Sequence, residues 1–236
     1  MNNFDHHNRF FVKKESVTGN EFRITGEEIR HLKVKRLHKG DYIIGLDGSG
    51  GEYIGKIEKI EGDCVICGIE EKSFHQPASQ KLYLCIGTIK SAAMSLVCEK
   101  AAELGVWEII PLACRYSNRR LSASEIDRLN RVALSGMKQS GRYYTARVRS
   151  ESTFDRILDE FAEKKMLIAL QEGRPALELE IMDDCLIFIG PEGGFTEEEV
   201  DKIASAGGEK FSLGEFRLRS ETAAIAACSI ISLKNL

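Results

Sequence analysis

The sequence of 236 residues has no apolar run that approaches the roughly 20 residues of a membrane-spanning helix. Its first residues, MNNFDHHNRFF, also lack the apolar core of a secretory signal peptide. The seven cysteines are an odd number, and most lie inside apolar segments, as do Cys85, Cys185 and Cys228. Cysteines distributed in this way are typical of reduced, buried thiols, so we predict a cytoplasmic protein that contacts no membrane.

Sequence motifs of metal-dependent and covalent catalysis are also missing. The chain contains neither H-E-x-x-H nor G-x-S-x-G, and its five histidines show no ligand spacing. One C-x-x-C motif joins Cys64 to Cys67, but it lies in a strand-like segment, where an offset of three directs the two thiols to opposite faces. Because no second pair exists, we predict neither a metal site nor redox chemistry here.

The chain has no overall positive charge, since its 33 Lys and Arg residues face 36 Asp and Glu residues and leave a net charge of −3. Any affinity for RNA must therefore come from local patches. One patch is a predicted helix in which Thr25 and Glu28 form a capping box and no acid occurs between positions 30 and 39. We predict RNA contacts from its Arg30, Lys33 and Arg36; the alternative is a solvated helix face.

A second basic patch lies between positions 111 and 149, where only Glu125 and Asp127 oppose nine basic residues. Three tyrosines lie among them and could stack on bases: Tyr116, Tyr143 and Tyr144. We favour RNA contact and choose Arg128, Arg131 and Arg142 for a test; the alternative is a basic surface balanced in space by acids elsewhere. The nine basic residues are Arg115, Arg119, Arg120, Arg128, Arg131, Lys138, Arg142, Arg147 and Arg149.

The segment CLIFIGPEGGFT, residues 185–196, is central to the chain. Its short apolar run predicts a strand buried on both faces, of the kind found in parallel sheets. A glycine-rich turn follows, and Thr196 with Glu199 then forms a capping box at the start of a helix. A strand, a glycine turn and a helix N-terminus in this order mark the usual ligand site of α/β proteins.

The composition of this turn restricts the ligand. Pro191 has no amide to donate, Glu192 and the acids after it would repel an anion, and the P-loop lysine is missing. One alternative is that GPEGG is only a tight connection. Otherwise the ligand needs close backbone approach and tolerates negative charge, as an adenosine group that carries a cationic sulfonium does.

The pattern of apolar residues divides the chain into two predicted domains, residues 1–72 and residues 80–236. The first is β-rich, with strand candidates at 10–13, 41–46, 52–60 and 64–70. In the second, strands and helices alternate, which predicts an α/β fold with a mostly parallel sheet covered on both faces. Its strand candidates are 81–86, 107–111, 146–149, 166–170, 186–189 and 210–213, and its helix candidates are 91–104, 122–140, 152–164, 196–206 and a last helix from 220.

A second motif, LGEFRLRSETA at residues 213–223, follows GPEGG at the expected separation. With these motifs the chain resembles the RsmE family, SPOUT-class methyltransferases that use S-adenosylmethionine to methylate N3 of a uridine in small-subunit rRNA. Further matching blocks are NRFFV at 8–12, HLKVKR at 31–36, ELGV at 103–106 and QSGR at 139–142. The resemblance implies an N-terminal PUA-like β-barrel, a C-terminal SPOUT domain with a trefoil knot, a homodimer, and ribosomal RNA or the small ribosomal subunit as partner.

The resemblance also implies site residues. Arg219 is predicted to stabilise charge on the uracil ring, Glu221 to orient Arg219 or remove the proton, and Arg9 to act on the substrate side. The alternative for Arg219 and Glu221 is a simple ion pair at a helix start. The residues predicted to bind S-adenosylmethionine are Leu170, Ile189, Gly190, Pro191, Glu192, Gly193, Gly194, Leu213, Gly214 and Leu218.

The chain departs from the family pattern at three places, and this leaves other functions open. Phe216 replaces the first arginine of R-I-L-R, Tyr116 stands where an arginine is usual, and Lys138 where a glutamate is usual. One alternative is a diverged SPOUT protein that methylates another RNA site. Others are a non-catalytic RNA-binding protein and an α/β enzyme that acts on a small phosphorylated metabolite.

Overall fold

The computed structural model describes residues 8–117 and 119–234. The first seven residues of the predicted N-terminal domain, Asn118 and the last two residues lie outside this range. The chain divides into two units, Met1–Pro77 with Met137–Thr145, and Ala78–Gly136 with Ala146–Leu236. Residues 137–145, which the sequence analysis assigns to the C-terminal domain, are thus grouped with the N-terminal unit.

The N-terminal unit is built on a six-stranded sheet with the strand order β1-β4-β5-β6-β3-β2. The β1–β4 pair is parallel and the other pairs are antiparallel. Phe10, Phe22, Ile24 and Val65 are fully buried and form part of its core. Its elements are β1 (Arg9–Phe11), a 3₁₀ turn (Lys14–Ser16), β2 (Val17–Thr18), β3 (Glu21–Thr25), α1 (Glu27–Val34), β4 (Tyr42–Leu46), β5 (Gly51–Glu61) and β6 (Cys64–Phe74).

The capping box predicted from Thr25 and Glu28 is wrong. Thr25 ends strand β3, and the N-cap of α1 is Gly26 at φ +66°, which provides no side-chain cap. The Glu28 carboxylate instead accepts a hydrogen bond from the Phe11 amide at 3.3 Å and pairs with Lys138. A partner 110 residues away in sequence therefore outcompetes the local capping pattern.

Residues 137–145 pack into the N-terminal unit through several specific contacts. The Tyr143 ring stacks on His75 with ring centroids 3.4 Å apart, and the Tyr144 hydroxyl donates to the His75 carbonyl at 3.0 Å. Gly141, at φ +73°, leaves room for the Arg9 guanidinium, whose Cζ would lie 2.7 Å from a Cβ at this position. Residues 137–145 are therefore an integral part of the N-terminal unit.

The C-terminal unit contains a seven-stranded sheet, and all its strand pairs are parallel, as predicted for the α/β domain. The strand order is β11-β13-β10-β12-β7-β8-β9, and the short edge strand β11 was not predicted. Its strands are β7 (Leu82–Gly87), β8 (Glu108–Leu112), β9 (Arg147–Val148), β10 (Lys165–Leu170), β11 (Arg174–Pro175), β12 (Cys185–Ile189) and β13 (Glu209–Ser212). Its helices are α2 (Ser91–Glu103), most of α3 (Ala123–Ser140), α4 (Phe154–Glu160), a 3₁₀ turn (Ala176–Glu178), α5 (Glu197–Ser205) and α6 (Ser220–Lys234).

Helices cover both faces of this sheet because side chains alternate along its buried strands. Leu84 and Ile86 join the core that includes side chains of α2, α3 and α6. Cys85 and Phe188 lie in the opposite core, with side chains of α4 and α5. The trefoil knot implied by the resemblance stays a prediction.

The two capping boxes predicted for the C-terminal unit are confirmed. Thr196 Oγ1 accepts from the Glu199 amide at 3.2 Å, and the Glu199 carboxylate accepts from the Thr196 amide at 2.8 Å. Ser122 and Glu125 make the same reciprocal pair, at 3.4 and 3.0 Å. Both boxes satisfy amides that a helix start leaves without partners.

All seven cysteines are free, and six of them are buried. Burial raises the pKa of Cys67, Cys98, Cys114 and Cys185 to about 12, which keeps these thiols protonated and unreactive. Within the described residues, no group of three or more His, Cys, Asp or Glu side chains could hold a metal ion. No helix in this part of the chain is long and apolar enough to span a membrane.

Candidate functional site

A cavity of about 690 Å³ lies in the C-terminal unit where strands β10, β12 and β13 end. These three strands are neighbours in the parallel sheet, so their carboxyl ends and the loops that follow meet at one edge. The lining comes mainly from residues 169–171, 189–192, 194–195, 213–214 and 216–221. Lys90 and Ala93 at the start of α2, and Ala223 in α6, complete it.

The cavity brings together most of the residues that the sequence analysis assigns to S-adenosylmethionine. Nine of the ten line it, although they come from three loops that are far apart in sequence. Gly193 does not line the cavity. The nine residues are Leu170, Ile189, Gly190, Pro191, Glu192, Gly194, Leu213, Gly214 and Leu218.

The glycine turn after β12 is closed by a hydrogen bond from the Gly194 amide to the Pro191 carbonyl, at 2.8 Å. Gly194 adopts φ +77°, a conformation that glycine reaches without strain. No other atom lies within 4 Å of the position that a Cβ of Gly194 would occupy. At Gly190 a Cβ would lie 3.1 Å from the Gly194 Cα, so a side chain at this position would press on the backbone of the turn.

Gly193 lies on the other side of this turn, against Tyr116. A Cβ at Gly193 would lie 2.7 Å from Cβ and 3.1 Å from Cγ of Tyr116. Gly193 also lines a shallow recess of about 460 Å³ together with Arg115, Tyr116 and Ser117. Two adjacent glycines of the motif thus face two different spaces.

Glu192 interacts with the N-terminus of helix α2, a role that its position in the sequence did not indicate. Its Oε1 accepts from the Lys90 amide at 3.3 Å, at the start of α2, where no side chain caps the helix and no acid occurs in the first turn. The carboxylate therefore supplies the negative charge that a helix N-terminus favours. Its carbonyl accepts from Nη2 of Arg217 at 3.3 Å, which links the glycine turn to the loop after β13.

Arg219 and Glu221 both line the cavity, at the start of α6. The Arg219 side chain is 86% exposed, and its Nη1 lies 4.0 Å from Oε1 of Glu221, whose side chain is 21% exposed. The pair is therefore loose, and the guanidinium keeps most of its surface open to a ligand. Arg9 belongs to the N-terminal unit, so its proposed role on the substrate side stays a prediction.

Lys90 and Ala93 line the cavity and were not predicted from the sequence. Lys90 and Ala93 follow strand β7, which lies beside β12 in the sheet. The strand order was not predicted, and without it nothing in the sequence connects these residues with the glycine turn. Arg217, which also lines the cavity, lies inside the predicted motif at residues 213–223.

The basic residues chosen for RNA contact have different surroundings. Arg30, Lys33 and Arg36 are exposed in or just after α1, and Arg131 is exposed on α3. Arg142 is also exposed and has an interaction partner of its own. Arg128 is half-buried, and its guanidinium donates to the hydroxyls of Ser95 at 2.8 Å and Ser91 at 3.0 Å.

Five of the nine basic residues between positions 111 and 149 have carboxylate partners. For four of the five, the partner is an acid outside the segment, which supports the alternative that acids elsewhere balance it; Arg119 pairs with Glu125 inside the segment. Arg149 is held most firmly, since its Nη1 donates to Oε1 of Glu160 and its Nη2 donates to Oε2, both at 2.7 Å. The five pairs are Arg119–Glu125, Arg120–Glu151, Lys138–Glu28, Arg147–Glu108 and Arg149–Glu160.

An all-parallel sheet with a glycine-lined cavity at the carboxyl ends of neighbouring strands defines an α/β protein that binds a small ligand at this edge. The sequence profile of the family described as "RNA methyltransferase domain" matches residues 76–232, which is more than half of the chain. The chain therefore belongs to the RNA methyltransferase domain family. A second profile, "RNA methyltransferase PUA domain", matches residues 24–70.

Relatives of nearly the same length carry one name. The chain is 29% identical to ribosomal RNA small subunit methyltransferase E of Bacillus subtilis, and the match covers 95% of each chain. It is 27% identical to the protein of that name from Rickettsia conorii, with 96% of each chain covered. These relatives confirm the resemblance to the RsmE family.

Solved structures share the fold over nearly the whole chain. A ribosomal RNA small subunit methyltransferase E from Neisseria gonorrhoeae, bound to S-adenosyl methionine, has a TM-score of 0.88 at 24% identity and covers 95% of this chain and 96% of its own. A Legionella pneumophila methyltransferase with bound SAM has a TM-score of 0.84 at 25% identity, with coverage of 96% and 97%. The predicted pairing of a PUA-like domain with a SPOUT-type α/β domain is confirmed.

Proposed function

We propose that the protein methylates N3 of a uridine in small-subunit ribosomal RNA, with S-adenosylmethionine as the methyl donor. The observation that carries this proposal is the cavity at the ends of β10, β12 and β13, which Arg219 and Glu221 line together with the glycine turn. The names and the bound ligands of the relatives support the same reaction.

The chemistry of the cavity suits this donor. Leu170, Ile189, Leu213 and Leu218 offer apolar contacts for an adenine ring. Gly190, Gly194 and Gly214 allow close backbone approach. The lining also includes Glu192 and Glu221, whose negative charge favours a cationic sulfonium over an anionic ligand.

S-adenosylmethionine, when bound, supplies a methyl group that is already activated for transfer. The protein must then align the acceptor and exclude water. For uridine N3 it must also support the negative charge that the ring gains when the N3 proton leaves. The exposed guanidinium of Arg219 is suited to this task, and Glu221 either orients it or accepts the proton.

Labelled methyl transfer tests this function directly. The purified protein is incubated with labelled donor and with small ribosomal subunits from a strain that lacks it, and the modified base is mapped. We expect one modified uridine with the methyl group on N3. A modified base elsewhere would support a diverged methyltransferase, whereas RNA binding without donor binding would indicate a non-catalytic protein.

We propose that RNA binding is electrostatic and uses α1 of the N-terminal unit. Each phosphate contact contributes a slope of roughly −0.7 to −0.9 in log K against log salt. Replacement of Arg30, Lys33 and Arg36 by Ala should therefore flatten the measured slope by roughly 2 to 3. A matched control removes three other exposed charges of this unit, with Lys13, Lys14 and Lys72 changed to Ala. Equal flattening by both triples would show that only net charge matters.

The second proposed RNA-binding set is Arg128, Arg131 and Arg142. Within it, Arg128→Ala should change the slope least, because its guanidinium already donates to two serine hydroxyls. An unchanged slope after replacement of all three would show that this surface is merely solvated.

We also propose a cytoplasmic homodimer. Helix α6 is apolar almost all round, yet its Ile225 and Ala226 are only half-buried in the single chain, and Leu233 is 66% exposed. A second copy would cover these residues. Sedimentation at micromolar concentration should show a dimer.

The free, mostly buried cysteines agree with a reducing compartment.

A further inference from the structure

Tyr116 has an unusual position relative to the cavity. It is 51% exposed, and the base of its side chain lies against Gly193 of the glycine turn. The next residue, Gly194, lines the cavity. A single turn of backbone therefore separates an open aromatic ring from the proposed donor site.

The other two tyrosines that the sequence offers for base stacking are already engaged. Tyr143 stacks on His75 at 3.4 Å between ring centroids, and the Tyr144 hydroxyl donates to the His75 carbonyl. Both lie in the N-terminal unit and take part in its packing. Among the three, Tyr116 is the one with a large free surface beside the glycine turn.

The main chain at Tyr116 is held in place by a buried carboxylate. Glu199 is only 9% exposed, and its Oε1 accepts from the Arg115 amide at 2.7 Å while its Oε2 accepts from the Thr196 amide at 2.8 Å. The Ser117 amide also donates to the Cys114 carbonyl, at 3.1 Å. Because the segment is fixed before binding, a ligand that stacks on Tyr116 loses little affinity to ordering the loop.

The recess beside Tyr116 offers the groups that recognise an unstacked nucleobase. It combines the tyrosine ring with the exposed Arg115 and with Ser117. The Ser117 Oγ is buried and has no nitrogen or oxygen partner among the described residues, and it interacts with the weakly accepting thiol of Cys114. An aromatic face and a cation for phosphate suit one extruded nucleotide of an RNA chain.

We propose that Tyr116 is the platform on which the target uracil stacks, and that Glu199 is a positioning residue for it. This inference rests on the proposed methyl transfer to RNA. A guanidinium plane and a tyrosine ring can both stack on a base, so Tyr116→Arg is a variant that can still make this contact.

A pair of RNA substrates tests the contact without relying on activity. One carries the uridine mapped by the methylation assay, and the other has an abasic residue at that position. The ratio of their two affinities measures what the base itself contributes. Tyr116→Leu should reduce this ratio by at least about fivefold, the lower limit for loss of one base–aromatic stack. Tyr116→Phe should keep the ratio, and Tyr116→Arg should keep most of it.

Further variants separate positioning from general damage. Glu199→Gln should reduce the same ratio by less than Tyr116→Leu does, since its amide oxygen can still accept one of the two hydrogen bonds. The matched control is Glu198→Gln, which changes an exposed acid of the same helix turn and should leave the ratio unchanged. Affinity for S-adenosylmethionine should stay within about twofold for Tyr116→Leu, because Tyr116 does not line the cavity.

A crosslink provides a test that does not depend on how the variants fold. With 4-thiouridine at the target position, ultraviolet light should join the RNA to the wild-type peptide that contains Tyr116. A crosslink only to other peptides, or an unchanged affinity ratio in Tyr116→Leu, would overturn the proposal while methyl transfer by the wild type stands. If the wild type transfers no methyl group, the proposed function fails first.

Discussion

Gly194→Val should abolish binding of S-adenosylmethionine while the protein stays folded. Gly194 lines the cavity, and no other atom lies within 4 Å of the position of an added Cβ. A valine side chain would thus enter the space that the ligand needs. The backbone at φ +77° adds strain of about 1–2 kcal/mol, which the rest of the domain must absorb. Isothermal titration calorimetry measures the affinity, and circular dichroism confirms the fold.

Gly207→Val is the matched control for this change. Gly207 has φ +89°, nothing lies within 4 Å of its added Cβ, and it does not line the cavity. It should cost similar stability and keep the wild-type affinity. Wild-type affinity in Gly194→Val would show that the ligand binds elsewhere, and loss of affinity in both variants would point to backbone strain alone.

Arg219→Ala should slow methyl transfer by about a hundredfold and leave donor affinity nearly intact. An interaction made only in the transition state affects the rate and hardly affects ground-state binding. Loss of one preorganised group that stabilises developing charge costs a factor of about a hundred to a thousand. Arg219→Lys should recover only part of the rate, because a point charge does not reproduce a planar guanidinium. Single-turnover rates at saturating RNA measure the loss in Arg219→Ala and the partial recovery in Arg219→Lys.

Two further variants complete this experiment. Arg174→Ala removes another exposed arginine of the same unit, which pairs with Glu209 outside the cavity, and should keep the rate. Glu221→Gln should cause a small loss if Glu221 only orients Arg219, and a large loss with a changed pH–rate profile if it accepts the proton. Donor affinity that falls in proportion to the rate in Arg219→Ala would make Arg219 a binding or structural residue, and Arg9 or Arg217 the next candidate.

Local sequence patterns were sufficient for most of the C-terminal unit. The apolar run at Leu186 to Ile189 predicted a central buried strand, and the capping boxes at Thr196 and Ser122 predicted where helices start. These signals depend on neighbours within four residues, and at these two sites the local pairs do form. The glycine turn could also be predicted from the local sequence, because a turn this short has few possible backbone conformations.

Signals that depend on distant residues could not be read in this way. Gly193 and Gly194 are adjacent glycines with no sequence signal that tells them apart, and the position of Gly193 against Tyr116, 77 residues earlier, is visible only in the fold. The Thr25–Glu28 pattern is as good a capping box as the others, yet Lys138 draws the carboxylate away. Strand order is a further property of this kind, and it brings Lys90 to the glycine turn.

The grouping of residues 137–145 with the N-terminal unit has a consequence for synthesis of the chain. Glu28 pairs with Lys138 and His75 stacks on Tyr143, so a nascent chain that ends at residue 77 lacks partners for both. At 5–20 residues per second, the next 68 residues take roughly 3–14 s to translate. The N-terminal unit thus cannot finish folding as an independent early module. A gene fragment that stops after residue 77 should therefore yield a less stable product than its own sheet suggests.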